Sequence, residues 1–216
     1  MGTRRNFAVS GSLVCLVAGA CALTGRDRTD AALDGMKRTR QGIDRVVKAC
    51  ADGNAALANL VKTPGASPRP FFDNFSNQVS ILEAEISAAR DRNVAMHEDT
   101  NAFFQAWEQE LGAVRNAEIK AAAQQRRAEL KDAYAKVRAA SQAAQEVADP
   151  FVRDLNDLRV YLDHDLTPAG IAAAKDSIAK IGGESEVVAK RYQELASQIK
   201  SVEELLSATA LAQAAH

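Results

Sequence analysis

The stretch IGGESEVVAKRYQELASQIKSVEELL, residues 181–206, decides the fold. It carries apolar or small side chains at alternating intervals of three and four residues, and the series begins further upstream. Because an α-helix turns once in about 3.6 residues, this spacing lines one helix face and predicts lengthwise packing against other helices. The positions in the series are Ile171, Ala174, Ile178, Ile181, Ser185, Val188, Tyr192, Leu195, Ile199, Val202 and Leu206.

The same spacing recurs in three segments upstream, and no strand pattern competes with it. The first series contains Leu33, Met36, Arg40, Ile43, Val47, Cys50, Asn54, Leu57 and Val61. The second contains Phe72, Val79, Leu82, Ile86, Ala89, Asn93, Met96, Thr100, Phe103 and Trp107. The third contains Ile119, Ala123, Arg126, Leu130, Tyr134, Val137 and Ser141. Every long segment of the chain is therefore predicted to be an amphipathic helix.

The second and third series differ in phase between Val114 and Ile119. We interpret the shift as a stutter, which relaxes supercoiling without ending a helix. Residues 72–147 would then form one very long central helix of about 110 Å, with a bend near Gly112 or at residues 91–93. The sequence predicts an all-α fold, an elongated antiparallel helical bundle with coiled-coil packing, in which the first and last helices cover the central one.

Proline and glycine mark the expected boundaries of these helices. Residues 63–70 contain three of the five prolines and are predicted to be a loop. Asp149-Pro150 and Thr167-Pro168 each match an N-cap followed by proline in the first helical position, so each predicts a helix start. Between them, Phe151, Leu155, Leu158 and Leu162 would line a short helix, and Gly182-Gly183 would kink or break the last one.

Residues 1–20 have the features of an export signal. Arg4 and Arg5 precede an apolar run that is too short to span a membrane, and the run ends in small side chains. The residues Thr3 to Phe7 also resemble the twin-arginine export signature, with Arg4, Arg5 and Phe7 at its core. Two generic arginines of a general secretory signal are the alternative, and either route leads out of the cytoplasm.

The sequence VAGAC at residues 17–21 matches a lipobox, in which the thiol of Cys21 receives a lipid and becomes the new N-terminus. An ordinary secretory cleavage site is the alternative. We expect residues 1–20 to be a signal peptide, residues 21–26 a short tether, residues 27–208 one helical-bundle domain and residues 209–216 a frayed tail. The lipid would attach the chain to a membrane, with the outer membrane favoured by Ala22.

Charge and cysteine usage exclude several classes of protein. Removing residues 1–20 lowers the 27 basic residues to 25, against 28 acidic ones, which gives a net charge of −3. This balance argues against nucleic-acid binding, which needs a basic surface. With Cys15 in the signal and Cys21 as the lipid acceptor, Cys50 remains alone, and we expect it to be a small buried side chain rather than half of a disulfide.

Few residues in the sequence suggest chemistry. His164 lies between two aspartates at a predicted turn, where a capping role is the main expectation and a ligand-binding role the alternative. Phe103, Phe104 and Trp107 form an aromatic cluster, which is either an interaction patch for a partner or part of the bundle core. No zinc, phosphate-loop or nucleophile motif is present in the sequence, and we expect no catalytic, metal-binding or cofactor-binding residues.

Three segments resemble a known family in their order and spacing. They are FFQAWEQEL at residues 103–111, DPF at residues 149–151 and VYLDHDLTPAGI at residues 160–171, and they resemble the bacterial family catalogued as domain of unknown function 2959. The resemblance covers roughly residues 27–206 and implies an exported helical envelope protein without a known activity. This chain has Thr167-Pro168 where the family pattern has Asn-Ala, which changes a helix cap.

These features predict a non-enzymatic, exported protein of the cell envelope. We expect a lipid-anchored periplasmic scaffold or spacer that binds another envelope macromolecule and can form a homo-oligomer. The first alternative is a membrane-remodelling helical hairpin, which would need a basic face beside its apolar stripe. The second is a ligand-binding domain or enzyme that uses His164.

Overall fold

The structure is a computed structural model, and it describes residues 25–62 and 67–214. The regular secondary structure in these two ranges is entirely helical. In order, the helices are α1 (Gly25–Lys62), α2 (Arg69–Ala113), α3 (Ala117–His164), α4 (Pro168–Ala173) and α5 (Lys175–Ala214). Strands are absent from these two ranges, and none of the helices in them is both long and apolar enough to span a membrane. The all-α prediction is confirmed.

The four long helices form an antiparallel bundle in which each one packs against two others. Ion pairs between α1 and α2 show that these two helices are antiparallel. Arg28 near the start of α1 pairs with Glu110 near the end of α2, and Arg45, later in α1, pairs with Glu85, earlier in α2, at a distance of 3.0 Å. The helices follow one another around the core in the order α1, α2, α3 and α5. Consecutive long helices run in opposite directions, so the bundle has up-down-up-down topology.

The predicted helix faces form the core. Residues from all four long helices make one continuous hydrophobic cluster, with Phe75, Val137 and Ile199 fully buried. Asn93, Thr100, Ser141 and Ser185 occupy seam positions and are also buried, as the spacing predicts. The prediction is wrong at Ile119 and Val61, whose side chains are exposed. The first three turns of α3 extend beyond the closely packed part of the bundle, and in the last turn of α1 it is Leu60, 2% exposed, that faces the core in place of Val61.

The prediction of one continuous helix over residues 72–147 is wrong. The helix α2 ends at Ala113, and α3 begins at Ala117 after a turn in which Val114 and Asn116 are extended. The side chain of Asn116 caps α3 by accepting hydrogen bonds from the amides of Glu118 and Ile119, at 3.0 and 3.1 Å. The phase shift is therefore a turn that folds the chain back, and α2 is covered by α1 and α3 rather than by α1 and α5.

Proline and glycine have smaller effects than the sequence suggests. Pro150 lies inside α3, so Asp149-Pro150 does not start a helix, and residues 69–70 belong to α2 rather than to the predicted loop. Thr167 does start a helix, because its hydroxyl accepts a hydrogen bond from the amide of Gly170 at 3.0 Å. The helix α5 continues through Gly182-Gly183, and the turn at Ala174 separates it from α4.

Several predictions fall on residues that the structure does not describe. The export signal with Arg4, Arg5 and Phe7, and the lipid acceptor Cys21, lie outside the described residues, as does part of the predicted loop at residues 63–66. The backbone of α5 continues to Ala214, through most of the segment 209–216 that the sequence predicts to be a tail.

Candidate functional site

The aromatic cluster lies near the end of the bundle where α2 turns into α3. The rings of Phe103 and Phe104 are 5.5 Å apart, and those of Phe103 and Trp107 are 5.6 Å apart, both with edge-on geometry. Phe104 is 5% exposed and packs against Tyr134 of α3, whereas Phe103 and Trp107 are half-buried. The cluster therefore serves mainly as the contact between α2 and α3, with one partly accessible edge.

A hydrogen bond between His97 and Tyr134 continues the cluster into the core. Burial, together with repulsion from Arg138, lowers the pKa of His97 below its usual value. Burial also raises the pKa of the Tyr134 phenol to about 12. Both groups are consequently neutral at neutral pH, which suits a structural contact and provides no charged catalytic group.

His164 lies at the other end of the bundle. It is the last residue of α3 and is exposed, while the aromatic cluster contacts the same helix at Arg127 and Tyr134, nearer its start. Arg127 contacts the backbone oxygen of Phe104, so the distance along α3 from the cluster to His164 is on the order of 55 Å. The structure does not bring His164 together with Phe103, Phe104 and Trp107, and the four residues do not form one site.

The turn beside His164 is fixed by its neighbours. Thr167 donates a hydrogen bond to the carboxylate of Asp165 at 2.7 Å, and the phenol of Tyr161 donates to the backbone oxygen of Gly170 at 3.1 Å. A side chain on Gly170 would collide with Asp165, so this close approach requires glycine. The chain therefore reverses tightly between α3 and α4.

A groove of about 580 Å³ lies between α3 and the junction of α4 with α5, and we call it the α3–α5 groove. The helix is interrupted by the turn at Ala174, and the side chains around this turn are small. They therefore leave the space opposite Leu158 and Tyr161 unfilled. Sequence reasoning missed this groove. The run of small residues after Thr167 was the available signal, but alanine is equally common at ordinary helix contacts. The residues lining the groove are Asp154, Asp157, Leu158, Tyr161, Ala173, Ala174, Ser177, Lys180 and Ile181.

The charged side chains at the α3–α5 groove are one lysine and three carboxylates, so the groove is net acidic. Lys180 pairs with Asp154 across the groove and with Glu184 one turn along α5, at 3.2 Å for the second pair. Hydrogen bonds to these two carboxylates raise the pKa of Lys180. The exposed carboxylate of Asp157 remains on the rim, above a floor formed by Leu158 and Ile181. The groove can thus accept a small group that is partly apolar.

The remaining reactive side chains serve the core. Cys50 is a free, buried cysteine, and burial raises the pKa of its thiol to about 11, so the prediction of a small buried residue is confirmed. The amide of Asn93 donates to the hydroxyl of Ser141 at 2.6 Å within the core. Residues 25–62 and 67–214 contain no group of three or more histidine, cysteine or acidic side chains that could hold a metal ion.

These features define the class of protein as an elongated four-helix bundle with up-down-up-down topology. The family model described as "Protein of unknown function (DUF2959)" matches residues 19–209, and the chain belongs to this family. The family expected from the three sequence segments is therefore confirmed. Neither a curated relative nor a solved structure matches the chain.

Proposed function

We propose that this protein is a non-enzymatic component of the bacterial cell envelope, exported and anchored to a membrane by a lipid on Cys21. The observation that carries the proposal is the short distance in sequence between the lipobox and the bundle. The cysteine of VAGAC lies four residues before Gly25, the first residue of α1. A lipid on Cys21 would therefore hold one end of the bundle close to the membrane surface.

The bundle is long enough to act as a spacer. The 48 residues of α3 correspond to a length of about 70 Å. If the end that carries the N-terminus of α1 lies at the membrane, then the α3–α4 turn, His164 and the α3–α5 groove lie tens of ångströms away from it. In this arrangement the protein presents its far end to another envelope macromolecule at a fixed height, which is the scaffold role that we propose.

Metabolic labelling with a palmitate analogue tests the anchor. The wild-type chain is expected to incorporate the label and to fractionate with membranes, and Cys21→Ala is expected to lose both properties. Cys50→Ala is the matched control, because its thiol is buried and its replacement should leave labelling unchanged. An unlabelled wild-type chain would contradict the lipid anchor.

The α3–α5 groove supports a second candidate function, the binding of a small ligand. Its volume of about 580 Å³ lies within the usual range for ligand pockets. Thermal-shift screening of envelope glycans and amines would detect such a ligand. Ala173→Leu, which fills the groove, should abolish the shift, and Ala172→Leu, on the same short helix and exposed, should retain it. A shift that survives Ala173→Leu would exclude the groove as the binding site.

A further inference from the structure

The end of the bundle that carries the N-terminus of α1 has an exposed surface formed by the α2–α3 turn. We define this tip as residues 112–122. Arg28 of α1 pairs with Glu110, close to the end of α2, so the start of α1 and the tip lie at the same end. The chain from Cys21 to Gly25 can span at most about 14 Å. A lipid on Cys21 would therefore bring the tip within reach of the membrane.

The tip has an exposed apolar surface. Ile119 is 60% exposed, more than any other large hydrophobic side chain within residues 27–62 and 67–208. Small residues whose side chains are also exposed lie near it in the sequence, namely Ala113, Ala117, Ala121 and Ala122. Val114 adds a second, half-buried apolar side chain. Residues 117–129 contain no fully buried position, so this part of α3 contributes little to the core.

The charges of the tip also suit an anionic surface. Arg115 and Lys120 are opposed by Glu118 alone within residues 112–122, so the tip is slightly basic, whereas the chain from Cys21 onward is slightly acidic. The nearby carboxylates of Glu108 and Glu110 are paired with Arg127 and Arg28. Basic side chains next to an apolar residue favour contact with anionic lipid headgroups.

From these observations we infer that the tip is a membrane-contacting surface, and that the bundle stands end-on with Ile119 inserted at the lipid headgroups. This inference rests on the proposed lipid anchor. Burial of one isoleucine contributes about 1.5–3 kcal/mol, which is too little to recruit the chain to a membrane without the lipid. The tip therefore sets the orientation of an anchored protein, which distinguishes it from a membrane-remodelling hairpin.

Tryptophan quenching in vesicles tests the inference. The acylated full-length protein is reconstituted in phosphatidylethanolamine and phosphatidylglycerol vesicles that contain brominated acyl chains. Trp107 is the only tryptophan, so Trp107→Phe provides a background for a single reporter at the tip, Ile119→Trp. Val160→Trp is the matched control, because Val160 is similarly exposed, at 56%, at the other end of α3. Circular dichroism verifies that both variants keep the helical content of the wild type.

The inference predicts loss of most of the fluorescence of the reporter at residue 119 and little loss at residue 160. Vesicle-bound protein without quenching at either position would refute the tip contact and leave the anchor intact. Equal quenching at both positions would mean that the bundle lies flat, which also overturns the inference. Acylated protein that fails to float with vesicles would overturn the anchor and the tip contact together. Cross-linking between tips of two chains, without quenching, would assign the tip to a second copy instead.

Discussion

Substituting alanine for Gly53 should stabilise the bundle, because the structure has room for the added methyl group. Gly53 is buried inside α1, yet a Cβ atom there would have no heavy atom within 4 Å apart from those of the adjacent residues and of the nearby backbone of its own helix. It lines a small cavity of about 10 Å³ together with Leu57, Leu82 and Phe151. Glycine in a helix interior costs about 1 kcal/mol relative to alanine. Burying one more methyl group contributes about 0.8 kcal/mol.

The free energy of unfolding should therefore increase by about 1.5–2 kcal/mol, which corresponds to a rise in Tm of about 3–8 °C for a domain of this size. Thermal and urea unfolding followed by circular dichroism measure both quantities. Gly182→Ala in α5 is a control. It should gain only the difference in helix propensity between glycine and alanine, about 1 kcal/mol, because Gly182 does not line that cavity.

Gly42→Ala provides the opposite control. Its Cβ would lie 2.9 Å from Nη1 and 3.3 Å from Cδ of Arg92, so the arginine has to move and the gain should shrink or vanish. The expected order of stability is Gly53→Ala, then Gly182→Ala, then Gly42→Ala. Destabilisation by Gly53→Ala would contradict this expectation, because it would mean that α1 and its neighbours are already in close contact at Gly53.

Three further predictions concern the core, the α2–α3 turn and the response to pH. Phe75→Ala should lower the free energy of unfolding by about 3–5 kcal/mol because Phe75 is fully buried. Val94→Ala, at an exposed site, should change it by less than about 0.5 kcal/mol. Equal effects of the two substitutions in urea unfolding would contradict the assigned core. Asn116→Ala should cost about 1 kcal/mol by removing the cap of α3, and an unchanged Tm would mean that the cap contributes nothing. Because the pKa of His97 is lower in the folded chain, the unfolded chain binds more protons in acid, so stability should be complete above about pH 6.5 and decline below it. This decline should be smaller in His97→Gln, and unfolding curves between pH 4 and 8 that coincide for both proteins would disprove the assignment.

The sequence was sufficient to predict the helical core. The alternation of three and four residues identified the buried positions of α5 and most of those of α2, including the polar residues Asn93 and Ser185, but it missed Phe75 and Phe104. The reason is that a bundle buries one continuous stripe of each helix, so burial follows directly from helical periodicity. Side-chain polarity at a single position matters less than its place in the stripe.

The errors in the fold have local causes. A phase shift in the apolar series fits either a stutter or a short turn, and the cap that decides between them, Asn116 with Glu118 two residues later, is a weak signal. Pro150 removes one backbone donor inside α3, at a cost of about 3 kcal/mol in an isolated helix. Burial of Ala148, Phe151 and Leu155 around it offsets this cost, so tertiary packing overrides the local preference for a helix start.

The candidate surfaces were much less predictable than the core. The aromatic cluster could be recognised from residues 103–107, but its position between α2 and α3 depends on the turn at residues 114–116. The α3–α5 groove and the exposed tip arise from the ends of elements and from small side chains, which leave no periodic pattern in a sequence. Ile119 fitted the apolar series and proved to be exposed, because the core ends before the helix does.

Mass spectrometry of the first tryptic peptide tests the central proposal, the lipid anchor on Cys21, most directly. In protein purified from native membranes, trypsin should release residues 21–26, CALTGR, since Arg26 is the first basic residue after the cysteine. This peptide is expected to be the N-terminus of the mature chain, with diacylglycerol on Cys21. An unmodified cysteine, or a peptide covering residues 6–26 from a retained N-terminal segment, would contradict it.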